Sequence, residues 1–202
     1  LFVHRNHKEE LLSICGDLDA RLRIFDGQSF SPLTGVTFTP LALAHDLTGS
    51  HGFVVDGFGG RIGYATDLGR VPVQLLTAFE DLDVLAIESN YDSQMQLASG
   101  RPAFLKQRIM GGNGHLSNTQ ALAAVRQILD RADARRKRLP SRIVLLHRSR
   151  ECNCPKLLQR LFHADARIAP RLVLAEQYER TDWLRRAEVQ PHYGEQLVLS
   201  WG

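Results

Sequence analysis

The chain has 202 residues, 44% of them hydrophobic and 23% charged, and a net charge of +3. This is enough apolar material for one well-buried domain, read as residues 1–202, and too little charge of one sign to demand a polyanionic partner. No run approaches the roughly 18 apolar residues of a membrane span. The three cysteines are too few for a disulfide framework, which points to a reducing compartment and so to the cytoplasm.

The chain opens on Leu1 rather than Met, in LFVHRNHKEELL. This reads as a buried strand end over Leu1–His4 and a helix over Lys8–Cys15 with Leu11, Leu12 and Ile14 inward. The expectation is a fragment that lacks an N-terminal portion. Leu22–Phe25 runs into the turn signal Asp26-Gly27. Val36–Ala44 is a strand, followed by the stretch LALAHDLTGSHGFVVDGFGGRIGYATDLG. Here a strand ends in His45, a second spans Gly52–Asp56, and a third, Arg61–Ala65, runs into Asp67.

Val71–Phe79 is a short helix with Pro72 in its first turn, and Val84–Ile87 is a buried strand. Asn90–Met110 reads as two helical pieces broken at Gly100-Arg101-Pro102. The Gly-rich GGNGHLSN precedes a helix from Asn118 to Ala134, whose Leu122, Val125, Ile128 and Leu129 share one face and which Ser117 or Asn118 caps. The basic run Arg131–Arg142 is a helix end and solvated connector. Ile143–Leu146 is a buried strand, Pro155–Leu161 a helix start, and Leu172–Ala175 and Gln196–Ser200 are closing strands. Strands alternating with helices define an α/β fold.

Three positions share one grammar, an apolar strand followed by a ligand type: LALA-His45, RIGYAT-Asp67 and RIVLL-His147. Strand ends gathered at one sheet edge are where α/β proteins build sites. Imidazole and carboxylate together suit Zn, Mn or Fe. Asp46 follows His45 and either orients it or caps the loop. Glu88 ends a strand at the same rim and reads as a structural hydrogen-bonding carboxylate. His51 reads as either exposed or standing behind the ligands. His4 and His7 are assigned to the surface, and Cys152 and Cys154 to a loop with reduced thiols.

Taken in order, HDLTGSHGFVV, GRIGYATDLG, DVLAIESNYD, GHLSNTQAL and VLLHRSRECN resemble the late motifs of the metallo-β-lactamase superfamily. The branch they resemble most is the single-domain nuclease type, relatives of tRNase Z and of 5′-to-3′ DNA exonucleases. The resemblance implies the C-terminal half to two thirds of an αβ/βα sandwich. It implies His45, Asp67 and His147 as metal ligands, Asp67 bridging, and His115 as a catalytic histidine beside the scissile phosphate. It also implies two divalent ions, Zn or Mn, in the full-length protein. The family's upstream H-x-H-x-D-H loop has no counterpart in this sequence.

The function implied is phosphodiester hydrolysis in nucleic acid, DNA before RNA, by a metal-activated hydroxide. Two rival readings are kept. One is hydrolysis of a small ester, thioester or lactam on the same metals; the other is a non-catalytic nucleic-acid-binding domain that has lost its metal loop.

Overall fold

Burial alternates along the strands Ser50–Gly57 and Gly60–Ala65, while Val84–Glu88 and Arg142–Leu146 are buried on both faces. The computed structural model describes residues 1–16, 18 and 21–184; the expected strand Gln196–Ser200 lies outside these residues. Seven strands form one sheet in chain order: β3 (Phe30–Leu33), β4 (Val36–Leu43), β5 (Ser50–Gly57), β6 (Gly60–Ala65), β7 (Val84–Glu88), β8 (Arg142–Leu146) and β9 (Leu172–Leu174). The pairs from β3 to β6 are antiparallel and those from β6 to β9 are parallel. β4, β6, β7 and β8 therefore all point the same way, and their C-terminal ends share one edge.

One face of the sheet carries Leu43, Val54, Ala65, Leu85, Ile87, Ile143 and Leu145 into the core. Against it lie helices α2 (Val73–Ala78), α5 (Asn118–Ala134) and α6 (Pro155–His163). Helix α5 buries Ala121, Leu122, Val125, Ile128, Leu129 and Ala132, the spacing of a single stripe. It starts on a capping box in which the Ser117 and Gln120 side chains are reciprocally bonded to backbone N–H groups. Gly63 has no side chain because a Cβ there would come within 2.6 Å of Leu82 and 3.0 Å of Phe79. The break at residues 100–102 separates α3 (Ser93–Ala98) from α4 (Ala103–Met110), as the Gly-Arg-Pro sequence requires.

The opposite face holds an aromatic cluster. A two-stranded parallel sheet, β1 (Phe2–His4) with β2 (Arg23–Phe25), brings Phe2, His4 and Phe25 against Phe30, Phe38, His51 and Phe53. His4 stacks on His51 with ring centroids 4.1 Å apart. His4 is therefore half-buried rather than a surface residue, and His51 packs in this cluster; burial and the neighbouring histidines push its imidazole pKa down.

Other expectations are corrected. Helix α1 (Lys8–Cys15) forms as read, but none of its residues is buried and Ile14 is 74% exposed. Among the described residues nothing buries Ile14. Strand β3 is unanticipated because Ser31 and Pro32 break its apolar pattern; as an edge strand it tolerates a proline. Pro72 caps α2 in extended conformation instead of entering its first turn. The basic run is more than a solvated connector. Arg135 pairs with Glu80, and Arg138 with Asp81 and Asp83, at the sheet edge where β7 and β8 begin.

Asp165 fastens the end of α6 to α5, accepting hydrogen bonds from Arg126 Nε at 3.1 Å and the Arg167 backbone N–H at 3.0 Å. The Arg167 side chain, with Arg126, holds its carboxyl below the usual carboxylate range. A depressed carboxylate stabilises the fold above its unfolded pKa of about 3.9, and that contribution is lost as pH falls through the lower folded value. Asp165→Ala is expected to cost about 1–2 kcal/mol at pH 7, with the deficit narrowing below about pH 4. Urea titrations at pH 7 and pH 3 measure it; a deficit equal at both would assign the contact to packing.

Candidate metal centre

Because β4, β6, β7 and β8 end at one edge, the residues that follow them meet there. His45 stands two residues past β4, Asp67 two past β6, and His147 one past β8, while Glu88 is the last residue of β7. His115 comes to the same edge from the Gly-rich loop before α5. Thus β4 ends at Leu43, earlier than the strand expected to end in His45.

Asp67 Oδ1 is the hub. It lies 3.4 Å from His45 Nε2, 3.8 Å from His147 Nδ1 and 3.9 Å from His115 Nδ1. The His115 ring sits between the other two, its centroid 5.1 Å from each. Two overlapping sets gather donor atoms within 4.8 Å: His45, Asp67 and His115, and Glu88, His115 and His147.

The loops that carry these side chains are tied to one another through backbone. The Asp46 N–H donates to Asn113 O and the Gly69 N–H to Ala44 O, both at 2.8 Å. Ser50 Oγ donates to Asp67 O at 2.7 Å. Gly69 is required at its position, since a Cβ would come within 2.5 Å of Asn113 Cα and Gly112 O. His45 Nδ1 bonds Gly114 O at 2.9 Å, which makes Nδ1 the protonated nitrogen and leaves the Nε2 lone pair facing Asp67. Asp46, Asp67 and His147 all have positive φ, at 43°, 53° and 51°. A left-handed residue ends a strand abruptly and swings its side chain out of the pleat, at a cost of order 1 kcal/mol each.

Glu88 is fully buried, and its two oxygens are shared between the loops. Oε2 accepts the Leu68 N–H at 3.0 Å and Oε1 the Leu116 N–H at 3.1 Å. These are the residues directly after Asp67 and His115, so one carboxylate clamps both. His115 Nδ1 lies 2.9 Å from Glu88 Oε1 without the alignment of a hydrogen bond. Burial alone would push the Glu88 carboxyl up; His115 and His147 beside it outweigh that and hold it below the usual range. Glu88 in turn pushes the His147 imidazole up, with Asp67 adding to the effect and burial opposing it.

Asp46 is held as a carboxylate by Arg108, which donates from Nε and Nη2 at 2.9 and 2.5 Å. Its Oδ2 is 3.7 Å from His45 Nε2, so its backbone orders the loop while its side chain answers Arg108. Three arginines border the centre through partners of their own: Arg70 on Asn113, Arg108 on Asp46, and Arg148 on Ala175 O and Glu176. A cleft of about 390 Å³ opens beside Asp67 and His147, with Tyr64, Thr66, Arg148 and Glu176 on its walls.

The donor set fits a divalent transition ion. Bonds of about 2.0–2.2 Å to a tetrahedral ion set ligand atoms roughly 3.3 Å apart, close to the His45–Asp67 spacing of 3.4 Å. His115 Nδ1 is buried without an aligned protein partner. A histidine–carboxylate cluster on the shared edge of a mixed sheet offers the donor types that hold a divalent metal ion. The family profile described as "Beta-lactamase superfamily domain" matches residues 4–147, and the chain belongs to that superfamily.

Solved structures support the fold. The metallo-beta-lactamase fold protein YhfI from Bacillus subtilis superimposes with a TM-score of 0.61 at 14% identity, covering 87% of this chain and 61% of that one. An isothiocyanate hydrolase from Delia radicum gut bacteria gives 0.59 at 14%, covering 88% and 64%. Zn(2+)-bound PqqB from Methylobacterium extorquens gives 0.55 at 17%, covering 84% and 58%. The chain thus spans about three fifths of the length of these proteins. No curated protein matches its sequence. Among the described residues, no helix is long and apolar enough to cross a membrane.

Proposed function

We propose that this protein is a hydrolase of phosphodiester bonds in nucleic acid, of the nuclease branch, with DNA the preferred substrate. The observation that carries the reading is His115, set among His45, Asp67 and His147 and backed at 2.9 Å by the buried Glu88 carboxylate. An alkoxide leaving group needs a proton, and a histidine beside a fixed carboxylate is suited to hold one and deliver it. The Arg70 guanidinium, bonded to the neutral Asn113, favours an anionic substrate, whereas Arg108 and Arg148 already answer Asp46 and Glu176.

His45, Asp67 and His147 would hold the metal, Zn or Mn. When bound, it supplies Lewis acidity toward a phosphoryl oxygen and toward water. Asp67 brings the negative charge the imidazoles lack, and the Gly114 carbonyl keeps His45 in the tautomer with Nε2 free. Glu88 keeps the loops of Asp67 and His115 in register. These donors form a partial set, and the reading draws the remaining ligands of a two-ion centre from an H-x-H-x-D-H loop, a string absent from this sequence.

The 202-residue chain is expected to bind Zn²⁺ or Mn²⁺ weakly. The same chain joined to such a loop is expected to bind about two ions tightly and to degrade a 5′-labelled DNA strand faster than a nitrophenyl ester. Elemental analysis and the two assays decide it. Equal stoichiometry with and without the loop would overturn the partial-set argument. Ester hydrolysis outpacing cleavage of DNA and RNA would move the protein to a small-molecule substrate.

A further inference from the structure

Behind the cluster lie four buried polar side chains that none of the preceding chemistry uses: Ser89, Asn90, Asn118 and Asn153. Ser89 Oγ donates to Asn118 Oδ1 at 2.9 Å, and Asn118 Nδ2 donates to Asn153 Oδ1 at 3.0 Å. Asn153 Nδ2 returns to the backbone carbonyls of Ser89 and Asn90 at 2.9 and 2.8 Å. At the end of this chain, Asn90 Nδ2 donates to His147 O at 2.7 Å.

The last of these bonds has a specific task. The peptide before His147 is pinned by the β-ladder's continuation, with the Ser89 N–H on Leu146 O at 3.1 Å. At His147 the backbone turns left-handed, φ 51°, and its carbonyl leaves the ladder direction. Its donor therefore comes from outside the ladder, in a part-buried contact. A side chain reaches this oxygen. Asn90 does so, and is itself held by the Ser149 N–H on its carbonyl at 2.8 Å and by Asn153. Both peptide planes flanking the His147 Cα are thereby fixed, which fixes the Cα–Cβ direction from which its imidazole projects.

We infer that Asn90 is a positioning residue for His147, holding a strained backbone turn in the one orientation that aims the imidazole at Asp67. Its value for metal binding rests on the reading of His147 as a ligand; the orientation itself does not. Partners behind a ligating histidine are typically worth 10–100-fold in metal affinity.

The test uses Asn90→Leu, similar in shape with no donor, in the 202-residue chain. Without metal, the carbon-bound imidazole proton resonances of His147 should shift and broaden, while those of His45, whose Nδ1 is held by Gly114, stay in place. With Co²⁺, affinity should fall 10–100-fold and the visible d–d spectrum should change shape. Should Asn90→Leu not fold, Asn90→Ser, too short to span the contact, carries the same expectations.

Unchanged His147 resonances, or a lower melting temperature with Co²⁺ affinity and spectrum intact, overturn the proposal. Failure of the unmutated chain to bind Co²⁺ at millimolar concentration would instead count against the metal reading, and the metal-free resonances would still decide the role of Asn90.

Discussion

In the chain joined to an H-x-H-x-D-H loop, Asp67→Asn is expected to lose bound metal and hydrolytic activity together, on every substrate. Asp67 Oδ1 is the point on which His45, His115 and His147 converge, at 3.4 to 3.9 Å. Without its charge, the carboxylate at the point where these imidazoles converge is lost, and only Glu88, behind His115 and His147, remains. The loss of affinity should exceed the roughly 10–100-fold typical of a partner one step behind a ligand. Asparagine is the informative replacement because, like aspartate, it tolerates the left-handed backbone at this position, φ 53°. Asp67→Ala would remove the same carboxylate while adding backbone strain. Elemental analysis after gel filtration, beside the melting temperature, separates the effects. Full metal content in Asp67→Asn would remove Asp67 from the ligand set.

His115→Ala in the same loop-joined protein is expected to behave in the opposite way, keeping its metal while activity falls by a factor of about 10²–10⁴, the usual worth of acid–base catalysis. The loop should survive the loss of the ring, because it is held through backbone: the His115 N–H on Ile109 O at 2.9 Å and the Leu116 N–H on Glu88. A nitrophenyl phosphodiester has a leaving group that needs no proton, so the deficit on it should be much smaller than on DNA. The contrast matters because His115 Nδ1 is also near enough to Asp67 to coordinate. If the substitution empties the metal centre, or slows both substrates equally, His115 is a ligand or a structural residue and the acid role is withdrawn.

Much of this architecture is visible in the sequence because it follows from local pattern. The single stripe and Ser117 cap of α5, the Gly-Arg-Pro break between α3 and α4, and the apolar runs of β7 and β8 rest on periodicities of a few residues. So does the habit of His45, Asp67 and His147 of following apolar strands. The misplaced residues are those whose fate depends on distant parts of the chain. Ile14 has the spacing of an inward residue, but none of the described residues buries it. His4 and His51 are 47 positions apart in number yet stack on each other, because β1 and β2 fold over the face opposite the core. The arginines of the basic run meet Glu80, Asp81 and Asp83 only because the loop before β7 lies beside the loop before β8.

By itself, then, the sequence determined the alternation of strands and helices, the residue types able to bind a metal, and their places at strand ends, since each depends on neighbours in the chain. Tertiary structure alone decided that β4, β6, β7 and β8 run in one direction, which is what puts the four strand-end side chains on a single edge. It also decided that Asp67 and His147 turn left-handed there, and that one buried carboxylate, Glu88, bonds the backbone after both Asp67 and His115. Those relations join residues 20 to 57 positions apart. They arise when backbone groups leave the ladder at a buried rim and must find partners across it, a demand that no local pattern records.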